Sequence, residues 1–215
     1  MTHELPHERP DDASTEPPSK ARARAMGLML AYSCAVAALT LAVDLVSKQL
    51  ALRFLDTETR IPLLGDLFGL QLAFNTGAAF SIGSQLTPII TLLGLVAVVL
   101  LVRAAARTRH PAKAVAIGLV LGGALGNLAD RIIAPPGFGR GAVTDFLAYG
   151  HLFIGNLADV AVFAGVVLYL LTVWRMKSNA SRQSRDREPT RGDSTTEPPT
   201  VDLATVAALP EVSRP

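Results

Sequence analysis

Residues 114–133 read AVAIGLVLGGALGNLADRII, an apolar run that ends in polar and charged side chains. A helix of about 20 apolar residues spans the ~30 Å hydrocarbon core of a bilayer. Three further apolar runs of similar length lie at about 27–46, 86–106 and 156–174. The sequence therefore predicts an all-α membrane protein with four transmembrane helices.

Charged residues are concentrated outside these runs. Residues 1–25 and 176–215 are rich in Pro, Ser, Arg and acidic residues and have no hydrophobic period. We therefore predict disordered tails on both sides of a membrane domain at 26–175. The basic residues have no aromatic side chains between them, so nucleic-acid binding is not indicated.

Lys and Arg residues flank the four runs unevenly, and this asymmetry predicts the orientation. Basic residues precede the first run, fill the short link at 107–113 and follow the fourth run. The positive-inside rule then places both termini and this link in the cytoplasm. Loops 47–85 and 134–155 are expected on the outer side.

Loop 47–85 contains three short apolar stretches separated by glycines. They lie at 61–64, 70–74 and 79–82. Such stretches indicate short strands, so we expect a small extracytoplasmic β platform beside the helices.

The third run carries glycines at a spacing of four, namely Gly118, Gly122 and Gly126. Residues four apart lie on one face of a helix, and glycines there let a second helix approach closely. The pattern predicts tight helix packing on this face.

Five polar residues lie within or at the ends of the apolar runs: Asp44, Asn127, Asp130, Asn156 and Asp159. A carboxylate at the centre of a membrane helix costs roughly 2.5 to 3.5 kcal/mol, so such groups are uncommon without a role. In the predicted orientation all five lie at the outer side, where Asp145 also lies in the loop before Asn156. This clustering predicts a functional site.

The first pair in this cluster is Asp44 and Lys48, four residues apart at the outer end of the first run. This spacing favours an ion pair on one helix face. The pair either stabilises the helix end or supports the site.

Asn127, Asp130 and Arg131 close the third run. A carboxylate at a helix C-terminus opposes the helix dipole, so Asp130 requires a partner. Arg131 is one candidate, although adjacent helix residues point in different directions. A structural polar network and direct catalysis are both open at this point.

Asn156 and Asp159 open the fourth run with the spacing of an N-cap residue and an acid at the third helical position. Capping does not account for Asp145, an acid within the apolar stretch AVTDFL. Two carboxylates at a semi-dry surface cannot both ionise easily, so they share a proton. One then acts as a base on water and the other as an acid toward a carbonyl, which is the chemistry of aspartic proteases.

Competing site types lack the necessary residues. The sequence has one cysteine, no His-Glu-x-x-His motif and no phosphate-binding loop, so we predict no metal and no cofactor. Two other functions remain as alternatives. A proton-coupled transporter predicts acids spread through the depth of the membrane, and a non-catalytic scaffold predicts that Asp145 and Asp159 tolerate Asn.

The chain resembles the lipoprotein signal peptidases, also called signal peptidase II, over about 27–174. The resemblance depends on five blocks in order: Asp44-x-x-x-Lys48, Asn75-Thr76-Gly77-Ala78-Ala79-Phe80-Ser81, Gly126-Asn127-x-x-Asp130-Arg131, Val143-Thr144-Asp145-Phe146 and Asn156-Leu157-Ala158-Asp159.

The resemblance implies a membrane-embedded aspartic endopeptidase with Asp145 and Asp159 as its catalytic pair. It implies that prolipoproteins with a diacylglyceryl-modified cysteine are the substrates, that cleavage occurs just before this cysteine, and that substrate enters sideways from the bilayer. Positions that shape the site or contact substrate would be Asp44, Lys48, Asn75, Gly77, Asn127, Asp130, Arg131, Asn156 and Ala158.

The resemblance also implies a surface helix over the site in loop 47–85 and a location in the bacterial cytoplasmic membrane. We expect membrane lipid as a partner and a monomeric protein. The chain departs from the family pattern at Gly155, where Phe is usual, and at its Pro135-Pro136-Gly137 loop.

Overall fold

The computed structural model describes residues 18–77 and 86–186, and its four helices are long and apolar enough to cross a membrane. The helices are α1 (Pro18–Phe54), α2 (Thr87–Arg107), α3 (Pro111–Ile133) and α4 (Leu157–Asp186). The strands are β1 (Ile61–Leu64), β2 (Phe68–Asn75), β3 (Val143–Tyr149) and β4 (Phe153–Gly155). This architecture confirms the predicted fold class of four membrane helices with a small sheet.

The first and last helices extend beyond the predicted spans. Helix α1 begins at Pro18, inside the tail predicted at 1–25, and α4 continues to Asp186, inside the tail predicted at 176–215. The prediction followed the apolar runs alone, whereas Ala, Arg and Lys also favour a helix outside the hydrocarbon. The chain divides after Arg175 into two compact units, and the last part of α4, from Met176 onward, belongs to the second unit. The remaining parts of both tails lie outside the described residues.

Helix α3 is the central helix of the membrane domain. Half of its most apolar stretch is buried, compared with 6% for α2. Its small residues bring α1 close: a Cβ on Gly118 would lie 2.7 Å from the Ser33 carbonyl oxygen, and one on Gly122 would lie 2.6 Å from that of Ala37. The predicted close-packing glycine face is therefore confirmed, and its partner is α1.

The four strands form one antiparallel sheet in the order β1-β2-β3-β4. A small core of Leu72, Phe146 and Leu147 packs against Ala51 near the end of α1. The pairing of β2 with β3 sets Ala73 opposite Asp145 and Asn75 opposite Val143. The sheet thus carries two of the predicted site residues on neighbouring strands.

The outer loops differ from the sequence prediction in one respect. The stretch at 61–64 is confirmed as β1 and that at 70–74 lies in β2, but residues 79–82 lie outside the described part of the chain. Strands β3 and β4 form within loop 134–155, for which the sequence analysis named no strand. Strand β3 is buried on both faces along most of its length, so its sequence lacks the apolar–polar alternation of a half-exposed strand.

No surface helix occurs in the described part of loop 47–85 after α1 ends at Phe54, that is, in residues 55–77. The resemblance implied such a helix, and residues 78–85 lie outside the described chain.

The Pro135-Pro136-Gly137 loop folds back onto the end of α3. The Gly141 N–H donates to the Arg131 carbonyl at 3.0 Å, and the Thr91 hydroxyl of α2 donates to the Gly139 carbonyl at 2.9 Å. A Cβ on Gly141 would collide with the last carbonyl oxygens of α3, so this close approach requires glycine. The loop therefore places the start of β3 next to the end of α3.

Candidate active site

Asp145 lies in β3 with its side chain 2% exposed. The Asn156 side-chain amide donates to its Oδ1 at 2.5 Å, and Asn75 donates a second hydrogen bond from β2. Burial raises the pKa of Asp145 to about 6, the hydrogen bond from Asn156 opposes this shift, and the negative charge of Asp159 adds to it. The structure therefore favours a proton on Asp145 near neutral pH more than on an ordinary aspartate.

Asn156 and Asp159 form a reciprocal capping pair at the start of α4. The Asp159 N–H donates to Asn156 Oδ1 at 3.0 Å, and the Asn156 N–H donates to Asp159 Oδ2 at 3.3 Å. The predicted capping role is confirmed. The Asn127 amide of α3 donates to Asp159 Oδ1 at 2.9 Å, so both carboxylate oxygens of Asp159 accept N–H hydrogen bonds.

The two predicted catalytic acids open onto one cavity of ≈ 830 Å³. Its polar lining consists of Asn75, Asn127, Arg131, Asp145, Tyr149, Asn156 and Asp159. Its apolar lining comes mainly from α2, α3 and α4, with Ile90, Leu128 and Phe163 among them. Among the described residues, Asp130 does not line this cavity, which distinguishes it from Asp145 and Asp159.

Lys48 is buried beside the cavity and joins three polar residues. Its Nζ lies 2.8 Å from Asp44 Oδ2 and 3.0 Å from Asp130 Oδ2, and it donates to Asn127 Oδ1 at 2.9 Å. The predicted ion pair between Asp44 and Lys48 is confirmed. The lysine also resolves the question of a partner for Asp130, which is Lys48 rather than the adjacent Arg131.

Asp130 and Arg131 hold two different outer segments. Asp130 Oδ2 accepts the Thr144 N–H at 3.0 Å, one residue before Asp145. The guanidinium of Arg131 donates to the carbonyl oxygens of Thr76 and Gly77. These contacts place the end of α3 between the strand that carries Asp145 and the segment that follows β2.

The remaining predicted site residues support the same geometry. Ala158 is fully buried, and its N–H donates to Asp44 Oδ1 at 2.9 Å. A Cβ on Gly123 would approach the Ala158 carbonyl oxygen at 2.5 Å, so α3 and α4 are in close contact here. Asn75 Oδ1 accepts the Gly77 N–H at 2.9 Å, which orients its amide group toward Asp145.

The residues of the sheet add aromatic groups that the sequence reasoning missed. Tyr149 and Phe153 stack with ring centroids 4.7 Å apart, and both line the cavity. Burial and then the charge of Asp159 raise the pKa of the Tyr149 hydroxyl. The sequence signal was available, since the two aromatic residues flank the turn at 150–152 and pair across β3 and β4.

The described part of the chain contains no group of three or more His, Cys, Asp or Glu residues arranged to hold a metal ion. The polar groups that line the cavity are two carboxyl groups, three amide side chains, one guanidinium and the Tyr149 hydroxyl.

Comparison with known proteins gives consistent results. Residues 36–175 match the model of the signal peptidase (SPase) II family, peptidase family A8. A lipoprotein signal peptidase of Rhodococcus jostii is 37% identical over 153 residues, which cover 71% of this chain and 77% of that protein. The lipoprotein signal peptidase of Leifsonia xyli subsp. xyli is 38% identical over 182 residues, which cover 84% and 83%.

Two solved structures of bacterial membrane enzymes are similar in fold. One has a TM-score of 0.61 at 24% identity and covers 68% of this chain and 90% of that chain. The other has a TM-score of 0.57 at 25% identity and covers 66% and 91%. With the four membrane helices and the family match, these similarities identify a multi-pass bacterial membrane protein. The chain belongs to the signal peptidase II family, whose peptidases remove signal peptides from lipoproteins.

Proposed function

We propose that this protein is an aspartic endopeptidase that cuts diacylglyceryl-modified prolipoproteins just before the lipid-modified cysteine, with Asp145 and Asp159 as the catalytic pair. The observation that carries the proposal is the cavity, onto which these two carboxyl groups open while Asp130 is engaged elsewhere. Two acids at one cavity also favour a peptidase over a transporter, in which acids would lie at several membrane depths.

The environments of the two acids support different roles. Asp145 is buried in β3, and its raised pKa of about 6 gives the protonated form a larger share near neutral pH than an ordinary aspartate has. Asp159 is exposed to the cavity and accepts N–H hydrogen bonds at both oxygens, as suits an ionised carboxylate. In the proposed mechanism Asp159 removes a proton from water, the water oxygen attacks the scissile carbonyl carbon, and Asp145 protonates the carbonyl oxygen.

The tetrahedral intermediate then collapses. The carbon–nitrogen bond breaks, the proton held by Asp159 passes to the leaving amine of the cysteine, and the hydroxyl proton returns to Asp145. The products are a signal peptide with a free carboxylate and a lipoprotein with a free amino terminus. The sum is hydrolysis by one water molecule, and the pair ends in its starting protonation state.

The apolar part of the cavity supports a lipid-associated substrate. Gly94 of α2 and Phe163 and Val166 of α4 continue the lining away from the sheet and along the membrane helices. An apolar segment of a signal peptide or an acyl chain would fill this space and exclude water. Substrate then enters from the bilayer, and the positive-inside rule puts the site at the outer side of the cytoplasmic membrane with both termini inside.

The test is cleavage of a diacylglyceryl-modified prolipoprotein by purified protein in lipid-containing micelles, with the product termini read by mass spectrometry. We expect Asp145→Asn and Asp159→Asn to abolish cleavage at matched folding and Asp130→Asn to retain measurable activity. Asp66→Asn, at an exposed turn of the sheet, is the matched control. Full activity of Asp145→Asn, or a dependence on added metal, would contradict the mechanism.

A further inference from the structure

Lys48 is a buried lysine with three hydrogen-bond acceptors around it. Its side chain is 2% exposed, and Asp44 Oδ2, Asn127 Oδ1 and Asp130 Oδ2 lie 2.8, 2.9 and 3.0 Å from its Nζ. The ammonium donates one hydrogen bond to Asn127 and makes ion pairs with Asp44 and Asp130, so its positive charge lies between two carboxylates. Each acceptor comes from α1 or α3, and the lysine connects the two helices at the level of the cavity.

Each of the three acceptor residues makes a second contact, either with one of the two proposed catalytic acids or with the backbone next to it. Asn127 donates from Nδ2 to Asp159 Oδ1 at 2.9 Å. The other two acceptors reach the backbone: Asp130 accepts the Thr144 N–H, adjacent to Asp145, and Asp44 accepts the Ala158 N–H, adjacent to Asp159. One cation is therefore connected to the side chain of one acid and to the backbone next to both.

The contact with Lys48 also determines the orientation of Asn127. Because the ammonium can only donate, the side-chain oxygen of Asn127 must face Lys48 and its NH₂ group must face Asp159. The carboxylate of Asp159 only accepts and favours the same orientation, so the two contacts on either side of the Asn127 amide reinforce each other. Loss of the lysine would remove one of these two contacts and leave the Asn127 oxygen without its donor, so the amide would be held less firmly beside Asp159.

We propose that Lys48 is the positioning residue of this site, which holds Asn127, Thr144 and Ala158 so that the two carboxyl groups open onto the same cavity. The proposal rests on the proposed function, because it assigns Lys48 a role in the orientation of that catalytic pair. Lys48 acts through its three neighbours and does not line the cavity.

A role in positioning predicts a particular change in the kinetics. Substrate would contact the lining of the cavity, to which Lys48 does not contribute, whereas the chemical step depends on the placement of the acids. A misplacement of about 1 Å costs on the order of 10²-fold in rate. We therefore expect Lys48→Met to lower kcat by about 10²-fold and to change KM by less than about 2-fold.

A double-mutant cycle tests the branch through Asn127. If Lys48 acts through this amide, Asn127→Leu should lower kcat strongly, and Lys48→Met should add little to that loss. Independent roles would instead make the two losses multiply, and that result would overturn the branch through Asn127.

Lys48→Met leaves the Asp44 and Asp130 carboxylates without their cation, so this variant could fail to fold. A second variant therefore tests the same role without that imbalance of charge. The variant Asp44→Asn/Lys48→Met removes one charge of each sign and keeps an oxygen at position 44 for the Ala158 N–H. It should therefore fold and still show the loss in kcat. Lys113→Met is the control, because Lys113 lies over the ring of Tyr169, away from the cavity.

The outcomes separate the two proposals. If the wild type cleaves the substrate and both Lys48 variants keep the full kcat, the role of Lys48 is overturned and the proposed function stays intact. A loss confined to KM would also overturn it, because it would assign Lys48 to substrate binding. No cleavage by folded wild-type protein would overturn the proposed function and this proposal with it.

Discussion

Replacing Asp145 with Asn should make the protein more stable at neutral pH while it abolishes cleavage. In an unfolded chain this aspartate titrates at its ordinary pKa of 3.8, whereas burial in β3 raises the pKa to about 6. The difference is about 2 pKa units, which corresponds to about 3 kcal/mol of penalty for the ionised carboxylate in the folded state. Asparagine carries no such penalty because it is neutral at every pH.

The variant also loses some of the existing hydrogen bonding. An Asn side chain offers one acceptor oxygen where Asp145 offers two, and Asp145 now accepts hydrogen bonds from both Asn156 and Asn75. The loss of one hydrogen bond costs about 1 kcal/mol. The expected net gain in the free energy of unfolding is therefore about 2 kcal/mol above pH ~7.

The sign of the effect changes with pH in a defined way. The folded-state pKa is raised, so the stability of the wild type is fully present below about pH 4 and is lost as the pH rises through about 6. The advantage of Asp145→Asn should thus develop as the pH rises over this range and persist at higher pH. The assay is reversible SDS unfolding in mixed micelles at several pH values between about 4 and 8, for wild type and variant.

A stability difference that does not change with pH would refute this reasoning, because it would arise from packing rather than from ionisation. A variant that is less stable than the wild type at pH 7.5 would refute it as well.

Three further substitutions follow from the same contacts. Gly126→Ala would press a methyl group against the buried Asp44 carboxylate of α1, so we expect the free energy of unfolding in SDS to fall by about 1–3 kcal/mol. Gly27→Ala is the control, because its new methyl group has nothing within 4 Å and should not destabilise the protein. Gly155→Ala would place a methyl group 3.1 Å from Asp159 Oδ2, and displacement of that carboxylate should lower kcat roughly 10-fold in the cleavage assay. Asp159→Asn removes a negative charge that raises the pKa of Asp145, so the pH midpoint of the stability loss should move below that of the wild type; an unchanged midpoint would mean that the two acids do not interact.

The fold was largely predictable because its main determinants are local in sequence. The apolar runs identified the four spans, and the glycine spacing in α3 identified the face that packs on α1. The ends of α1 and α4 were not predictable from hydropathy, since helix propensity continues past the apolar residues. Strand β3 was missed because burial on both faces removes the alternating pattern on which strand prediction depends, and β4 was missed because its three residues are too few to show a pattern.

The site was predictable in its residues and only partly in its contacts. Pairs within one element, such as Asp44 with Lys48 and Asn156 with Asp159, follow from helix geometry and were correctly predicted. The contact of Lys48 with Asn127 joins residues 79 positions apart, and no sequence spacing encodes it. The catalytic assignment of Asp145 and Asp159 remains a prediction that the cleavage assay tests.

The capping pair at the start of α4 has an evolutionary consequence. Asp159 accepts the Asn156 N–H, so the same carboxylate serves the proposed reaction and the folding of the helix. Loss of a capping interaction costs about 0.5–2 kcal/mol. A lineage that abandoned proteolysis would still be under selection for a side-chain oxygen at this position, which Asn supplies and Ala does not. Inactive descendants of this protein should therefore carry Asn at position 159 more often than Ala.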